Sequence, residues 1–410
     1  MKNTITFFGL AFLFTFGLFS TVYSQTKPQI GWTQYRGFER SAKSAEKFNL
    51  KAGEMKAELV WKNNMGSGIS EIVVSDESVY TLYSDKLDSL SGFEYIAAFN
   101  RNTGQEIWRS MIDSIYIEND GWGDGPRSTP VIDDTNIYSL SGNGNLSANA
   151  KKDGELIWQI DLVKEFGSLR PRWGFSTSPV IFDDKLIMEV GGTEGRAFVA
   201  FDRNNGSVLW AKGNGTTSYS SPLIALFDGQ EQLLFANGNT LYSYNSKGDT
   251  LWTYKLPFRA PIAMPLLIED NKLFFSNIAS GFVIIKIENN KAVELLKGPD
   301  MKNDFMTSVY HEGYIYGYHI AALRCISAET GEVKWSKRGF GKGSLMMVDD
   351  KLIVLSDKGK MAIVETNPEA YTELISLQAV EGSIAWTSPS FYKGKVYVRN
   401  QNEIACYQFN

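Results

Sequence analysis

The sequence predicts an all-β fold, namely an eight-bladed β-propeller that is closed by an N-terminal strand completing the last blade. Three observations predict it. A glycine turn followed by tryptophan recurs along the chain, a Ser/Thr-Pro step with two short strands precedes most copies, and one tryptophan-bearing strand near the N-terminus has no turn of its own. The 410 residues include 37 glycines and are 13% aromatic, which suits many short strands and tight turns.

The glycine turn is the clearest repeat, because tryptophan follows the glycine by four positions in five copies. The intervals between these tryptophans are 50, 52, 42 and 83 residues, and the last interval contains a degenerate copy near 289–295. Recurrence at this period is typical of repeat folds. The five pairs are Gly104 and Trp108, Gly154 and Trp158, Gly206 and Trp210, Gly248 and Trp252, and Gly331 and Trp335.

Each copy reads as one blade. The Ser/Thr-Pro step, as in Thr129-Pro130 and Ser178-Pro179, leads into a hairpin of two strands. A third strand ends in the glycine turn, where glycine adopts positive φ, and the fourth carries the tryptophan. We expect the flat indole to cover the gap between neighbouring twisted sheets. Four antiparallel strands in 40–50 residues are typical of a propeller blade, and a long β-sandwich with coincidental turns is the alternative.

Eight blades can be counted, but the last has only three strands before the chain stops at 410. The segment 58–63, with Trp61, is a fourth strand without a blade, so we expect it to complete blade 8 and remove the open edge. Residues 58–410 then form one propeller, and 25–57 form an N-terminal extension that lies across one face. The predicted blades begin at about 68, 126, 175, 219, 260, 305, 343 and 385.

The first 24 residues resemble a signal peptide. Lys2 is followed by an almost wholly apolar run over 5–22, and small residues at Val22 and Ser24 suit cleavage before Gln25. An uncleaved membrane anchor is the alternative, because the run borders on spanning length. No cysteine follows the run and no second run of spanning length exists. We therefore expect a periplasmic or secreted protein with no lipid anchor and no transmembrane segment in the mature chain.

Composition excludes several classes of function. The formal net charge is −5, so a broad basic surface for nucleic acid is not expected. Two cysteines, Cys325 and Cys406, exclude a disulfide scaffold and a four-cysteine metal site, and we expect both to be small buried residues with free thiols. His311 and His319 are too few for a histidine-rich centre. No metal site is expected, since the paired aspartates at 133–134, 183–184 and 349–350 all fall at hairpin turns.

The turn-and-tryptophan phrase, repeated with Ser/Thr-Pro strands, resembles the pyrroloquinoline-quinone-like (PQQ-like) β-propeller repeat. The opening Trp32-x-Gln-Tyr-Arg-Gly and the later Val60-Trp61-Lys resemble secreted bacterial members of that superfamily. The resemblance covers roughly 32–408. The superfamily includes quinoprotein dehydrogenases and non-enzymatic scaffolds of the BamB type, which assist outer-membrane protein assembly. Fold alone does not choose between them.

The residues that would support catalysis are not found. The resemblance implies that a dehydrogenase would hold PQQ with Ca²⁺ over the axis, in many members beside adjacent cysteines, but Cys325 and Cys406 are far apart. There is no Cys-x-x-Cys-His haem motif and no Gly-x-Ser-x-Gly elbow with a matching histidine. We therefore assign no catalytic residue and expect no cofactor. A PQQ/Ca-dependent alcohol or sugar oxidoreductase and a hydrolase or lyase acting on glycans remain as alternatives.

A binding site is expected where the loops leading into the innermost strands open onto the central channel. The loops of blades 2 and 3, at 117–127 and 166–173, are the longest. Arginine beside tryptophan suits contact with a polypeptide, a carboxylate or a sugar ring, although rim salt bridges and packing between blades are the alternative. The candidates are Trp122, Arg127, Arg170, Arg172, Trp173, Tyr219, Arg259 and Trp386.

These observations favour an exported, non-catalytic binding or scaffold propeller that engages a protein or a cell-envelope polymer through its channel face. We expect it to be a monomer.

Overall fold

The computed structural model describes residues 31–47, 55–75, 77–259 and 262–409. The predicted signal peptide, 1–24, lies outside the described residues. Nearly all the regular structure is β, arranged as eight sheets of four principal strands each, and the predicted fold class is confirmed. Within the described residues, helix is limited to a 3₁₀ turn at Phe38–Arg40 and the α-helix α1 at Leu162–Phe166.

The strands follow the predicted order, with the innermost strand of each blade first in sequence. Two strands precede blade 1: β1 (Lys43–Ser44) and β2 (Ala57–Asn64). Blade 1 contains β3 (Val73–Ser75), β4 (Ser78–Lys86), β5 (Gly92–Asn100) and β6 (Glu106–Ser114), and blade 2 contains β7 (Val131–Ile132), β8 (Asn136–Leu140), β9 (Asn145–Ala150) and β10 (Leu156–Asp161). Blade 3 contains β11 (Val180–Phe182), β12 (Lys185–Glu189), β13 (Phe198–Asp202) and β14 (Val208–Lys212). Blade 4 contains β15 (Leu223–Phe227), β16 (Gln230–Asn237), β17 (Thr240–Tyr244) and β18 (Thr250–Lys255).

Blades 5 to 8 repeat the pattern, and the last takes its outermost strand from the N-terminal part. Blade 5 contains β19 (Leu266–Ile268), β20 (Lys272–Asn277), β21 (Gly281–Glu288) and β22 (Lys291–Gly298), and blade 6 contains β23 (Val309–His311), β24 (Tyr314–His319), β25 (Ala322–Ser327) and β26 (Val333–Arg338). Blade 7 contains β27 (Ser344–Val348), β28 (Lys351–Leu355), β29 (Lys360–Glu365) and β30 (Glu373–Gln378). Blade 8 contains β31 (Ser390–Tyr392), β32 (Lys395–Arg399) and β33 (Glu403–Phe409), together with β2.

The ring closes as predicted. Strand β2 pairs antiparallel with β33, from Ala57 opposite Phe409 to Asn64 opposite Glu403, so blade 8 has the order β2-β33-β32-β31. The pairing joins a strand from before blade 1 to the last strand of blade 8 and removes the edge that an open sheet would expose.

The repeat tryptophans join neighbouring blades. Trp61, Trp108, Trp158 and Trp210 each pack on the repeat glycine of the next blade, not on their own: a Cβ added to Gly206 would lie 2.9 Å from the Trp158 ring, and one added to Gly104 would lie 2.5 Å from Trp61. The indole N–H of Trp61 also donates to the Arg101 carbonyl at 2.9 Å. The glycine is therefore required twice, by its positive φ and by the ring that lies on it.

The outermost strand of every blade has a β-bulge directly before the tryptophan position. In blade 5 the tryptophan position is occupied by Leu296, which identifies the degenerate copy, and in blade 7 by Ile375. Bulges disturb the hydrogen-bonding edge, so they protect exposed strands from pairing with other chains. The bulged residues are Val60, Ile107, Ile157, Leu209, Leu251, Leu295, Lys334 and Leu374.

Two smaller predictions, on the cysteines and on the paired aspartates, are confirmed. Both Cys325 and Cys406 are buried free thiols, and each lies opposite a repeat tryptophan in the sheet. The aspartates interpreted as turn residues occupy turns: Asp183 and Asp349 have positive φ, and Asp133 accepts hydrogen bonds from two following backbone N–H groups. Among the residues that the structure describes, no helix has the length and apolar composition needed to cross a membrane.

The prediction that the N-terminal extension lies across one face is wrong for its described part, 31–47. This segment lies inside the ring. Trp32 pairs with Val74 of blade 1, and β1 runs parallel to β27 of blade 7. The side chains of Arg36 and Arg40 are fully buried within the channel. The physical reason is that carbonyl groups at the inner strand ends accept hydrogen bonds from both guanidinium groups, which a segment on the outer face could not reach.

Candidate functional site

Residues leading into the innermost strands build a funnel around the propeller axis. Because side chains alternate along an extended chain, positions two and four before each strand both face the axis and form two rings. The cavity has a volume of about 250 Å³. Its lower ring includes Glu71, Thr129, Ser178, Ser221 and Ser388, and its upper ring includes Ile69, Arg127, Ser176, Tyr219, Ile262, Phe305, Lys342 and Trp386. In blade 7 the innermost strand begins two residues earlier relative to the tryptophan position, so Lys342 is its upper-ring residue. We call this cavity the central funnel.

The lower ring is tied together by hydrogen bonds between neighbouring blades. The backbone N–H of Glu71 donates to Thr129 Oγ1 at 3.0 Å, that of Thr129 to Ser178 Oγ at 2.9 Å, and that of Ser178 to Ser221 Oγ at 2.9 Å. The recurring Ser/Thr before proline is thus explained: its hydroxyl accepts from the preceding blade. These hydroxyl groups hold neighbouring blades together, and they also make the lower wall of the funnel polar.

The N-terminal segment closes the bottom of the funnel with Tyr35. Beneath it, the Arg36 guanidinium donates to the carbonyls of Thr307 and Ser308 at 2.9 and 2.8 Å. The Arg40 guanidinium donates to carbonyls of blades 3 and 4. Burial lowers the pKa of both arginines. A positively charged floor results, because backbone carbonyls satisfy the guanidinium N–H groups without neutralising their charge.

Glu71 is the carboxylate closest to this floor. Its Oε2 accepts the backbone N–H of Arg36 at 2.8 Å, and Ser388 and Trp32 are its side-chain neighbours. Burial nevertheless raises the pKa of Glu71 to about 7, since desolvation outweighs these interactions. Glu71 therefore offsets only part of the floor's positive charge near neutral pH.

Two aromatic clusters form the upper walls. On one side, the Trp386 ring lies between Phe305 and Trp122, with ring centroids 4.8 and 5.3 Å apart. On the other side, Trp173 packs on Tyr219 at 5.2 Å. Aromatic rings in tilted contact present a large, preorganised apolar surface. The funnel thus combines apolar walls with a polar, positively charged lower part.

A single carboxylate, Asp120, connects the two longest loops. It accepts two hydrogen bonds from Arg172, both at 2.7 Å, and one from Trp173 Nε1 at 2.8 Å. These bonds hold the pKa of Asp120 below its usual range. On the same loop, the Trp122 carbonyl accepts from Gln401 Nε2 of blade 8 at 2.9 Å. The loop is therefore attached to the neighbouring blade 3 loop through Asp120 and to blade 8 through the Trp122 carbonyl.

The structure brings five of the eight candidates together in the lining and leaves three outside it. Arg172 follows the alternative interpretation, in which arginine forms a salt bridge at the rim: it is exposed and paired with Asp120. Arg170 donates to Asn143 Oδ1 at 2.7 Å outside the cavity, and Arg259 is exposed beside a separate shallow groove. The five lining residues are Trp122, Arg127, Trp173, Tyr219 and Trp386.

Sequence reasoning missed several lining residues. Tyr35 was missed because the extension was placed on a face, and Glu71 because blade 1 lacks the Ser/Thr-Pro step that marks this position elsewhere. Lys342 was missed because blade 7 lacks both the tryptophan and the proline of the repeat; it lies in the upper ring and pairs with Asp304 at 2.6 Å.

Acidic groups and histidines are poorly placed for metal chemistry. Within the described part of the chain, no three His, Cys, Asp or Glu side chains come together as a metal site. His311 and His319 lie on β23 and at the end of β24, away from the funnel lining.

The family model described as "Outer membrane protein assembly factor BamB" matches residues 92–337, more than half of the chain. The chain belongs to the BamB family. The BamB of Shewanella oneidensis is 24% identical over 298 residues, covering 64% of this chain and 74% of that protein. The BamB of Yersinia pestis is 22% identical over 279 residues, covering 64% and 65%.

Solved structures show the same fold. The crystal structure of BamB from Moraxella catarrhalis gives a TM-score of 0.63 at 13% identity, covering 86% of this chain and 98% of that one. A europium-containing methanol dehydrogenase gives 0.67 at 10% identity, covering 92% and 98%. A quinohemoprotein alcohol dehydrogenase from Pseudomonas putida HK5 gives 0.70 at 12%, covering 92% and 80%. The resemblance to PQQ-like and BamB-type propellers is confirmed, and these likenesses concern the fold alone.

Proposed function

We propose that this chain is an exported, non-catalytic scaffold that binds a polypeptide segment in its central funnel during outer-membrane protein assembly. Membership of the BamB family supports the pathway, because the relatives are named as assembly factors. The apolar N-terminal run supports export to the periplasm.

The observation that carries the proposal is the pair of aromatic walls above a closed floor. A cavity of about 250 Å³ accommodates one or two side chains and is too small for a folded domain. A partner would therefore present an extended segment or a projecting loop. Aromatic residues that are held rigidly in this way are typical of the energetic centres of protein interfaces.

The test is binding of a urea-denatured, fluorescein-labelled outer-membrane β-barrel protein, diluted into buffer and followed by anisotropy. Trp173→Ala and Trp386→Ala each remove one indole ring, one from each wall, and Met111→Ala, an exposed apolar residue on β6, is the matched control. We expect each wall variant to weaken binding by about tenfold or more, since truncation of an aromatic hot spot commonly has this effect. Equal weakening by Met111→Ala, or no weakening by either wall variant, would contradict the proposal.

The dehydrogenase neighbours raise a second candidate, a PQQ/Ca-dependent oxidoreductase, and the funnel residues can be tested for fit. Ca²⁺ takes six to eight oxygen ligands, mostly carboxylates and carbonyls. The carboxylates of the funnel lining are Asp304, which Lys342 neutralises, and the buried Glu71. This donor set does not suit a calcium-held quinone. Titration with PQQ, with and without Ca²⁺, should give no saturable calcium-dependent change in tryptophan fluorescence, and saturable binding would favour the oxidoreductase.

A further inference from the structure

One cation in the wall of the central funnel has no acidic partner. Arg127 of the upper ring donates from Nη2 to the Gly123 carbonyl at 2.7 Å, and its guanidinium lies 5.6 Å from the Tyr116 ring centroid. Its buried Nε has no hydrogen-bond partner, and none of the ion pairs formed by the described residues involves Arg127. By contrast, Arg172 and Lys342 each pair with an aspartate.

The surroundings add positive charge. Arg36 and Arg40 lie beneath Tyr35, and their guanidinium groups donate to backbone carbonyls rather than to carboxylates. Glu71 is the one carboxylate of the funnel lining that forms no salt bridge with a described residue. Burial raises the pKa of Glu71, so it is partly neutral near pH 7. Two further carboxylates attract Arg127 without pairing with it: Glu118, whose two oxygens accept the backbone N–H groups of Asp120 and Trp122, and Glu94, whose pKa burial raises to about 8. Arg127 therefore keeps a guanidinium without a paired counter-charge in the funnel wall.

A guanidinium beside aromatic walls fits a specific chemistry. Arginine presents a planar fork of N–H donors that matches a carboxylate, and such charge-assisted hydrogen bonds are stronger in a partly buried site. The walls of Trp173 with Tyr219 and Trp386 with Phe305 accept an aromatic or large apolar group. The two features occupy the same small cavity, so one compact group could contact both.

We propose that the central funnel recognises a carboxylate next to an aromatic group, with Arg127 binding the carboxylate and the aromatic walls binding the ring. This inference rests on the proposed function, whose polypeptide would supply an acidic side chain beside an aromatic one. A free aromatic acid carries the same chemistry, so the experiment has to separate these two sources.

The experiment compares two matched pairs of probes on the full chain by calorimetric titration. The first pair is a blocked hexapeptide with Glu or Gln next to a Trp, and the second is indole-3-acetate or indole-3-acetamide. We expect the acidic member to bind about tenfold tighter than the amide. Arg127→Gln should abolish that preference, Arg127→Lys should keep part of it, and Arg338→Gln, on the exposed end of β26, should keep all of it.

The outcomes separate this inference from the proposed function. Equal binding of acid and amide in both pairs, no binding of any probe by the wild-type chain, or a preference that survives Arg127→Gln overturns the inference. A preference in the peptide pair supports it with a polypeptide as the source. A preference confined to the indole pair supports a carboxylate site but contradicts a polypeptide ligand. If Arg127→Gln does not fold, as judged by its melting temperature, the wild-type acid–amide comparison and the Arg127→Lys variant still test whether Arg127 binds the carboxylate.

Discussion

The contact between blade 8 and blade 1, where Trp61 packs on Gly104, leads to a specific prediction about stability. At Gly104, φ is +72° and an added Cβ would lie 2.5 Å from Trp61 Cε3 and 2.6 Å from Cδ2. Trp61 belongs to β2, the strand that completes blade 8, so the contact joins the last blade to the first. Gly104→Ala should therefore destabilise the protein for two reasons, the left-handed backbone conformation and the collision with the indole.

A matched glycine separates the two contributions. Gly195 has φ of +80° but nothing within 4 Å of its added Cβ, so Gly195→Ala carries the backbone cost alone. That cost is about 1–2 kcal/mol for an L-residue in this conformation. Displacing a packed indole adds about 1–3 kcal/mol, the usual cost of overpacking. Gly104→Ala should thus be less stable than Gly195→Ala by about 1–3 kcal/mol.

Urea unfolding measured for both variants tests the difference, and a double-mutant cycle tests its origin. In a Trp61→Ala background the collision with the indole is absent, and the remaining close atom is Asn63 Nδ2 at 2.5 Å, at the end of a flexible side chain. The cost of Gly104→Ala should then fall towards that of Gly195→Ala. Equal costs of the two glycine variants in the wild-type background would refute the reasoning. So would a Gly104→Ala cost that persists unchanged after Trp61 is removed.

Three further predictions concern buried charges and thiols. Burial raises the pKa of Glu94 to about 8 and of Glu189 to about 7, so the folded state binds more protons than the unfolded chain; their contribution is complete below about pH 4.5 and is lost as pH rises through 7–8. The melting temperature should fall between about pH 4.5 and pH 8, and less steeply in Glu94→Gln; an unchanged slope in that variant would contradict this assignment. Arg40→Met should lower the free energy of unfolding by about 3 kcal/mol, because it leaves buried carbonyls of blades 3 and 4 unpaired; urea unfolding should show this, with Arg338→Met unaffected. Burial raises the pKa of Cys325 and Cys406 to about 12, so both thiols should react with Ellman's reagent only on unfolding, and rapid reaction of the native protein would argue against their burial.

Repetition explains why so much of the fold could be predicted. A period of 40–50 residues with a fixed glycine-to-tryptophan spacing indicates the unit, and the orphan strand with Trp61 indicates how the ring closes. The pattern did not reveal that a tryptophan packs on the glycine of the following blade, as it does at four of the joints between blades. Both residues recur at the same period, so pairing within a blade and pairing between blades leave identical sequence patterns.

The site was predicted less completely, because its key contacts carry no sequence signature. Asp120 and Arg172 are 52 positions apart, and nothing in either loop marks them as partners. Arg36 and Arg40 bind backbone carbonyls, which every residue possesses, so no complementary charge indicates where they lie. Aromatic residues in the long loops were a better guide, since three of them, Trp122, Trp173 and Trp386, line the central funnel.

The N-terminal segment links the closure of the ring to the formation of the site. Tyr35 closes the bottom of the central funnel, and β2 supplies the last strand of blade 8 some twenty residues later. Trp386, which forms one aromatic wall, leads into β31 of that same blade. A chain whose ring has not closed therefore lacks a complete blade behind this wall. Binding at the central funnel should consequently require the closed ring, because the same stretch of chain contributes to the floor and to the closing sheet.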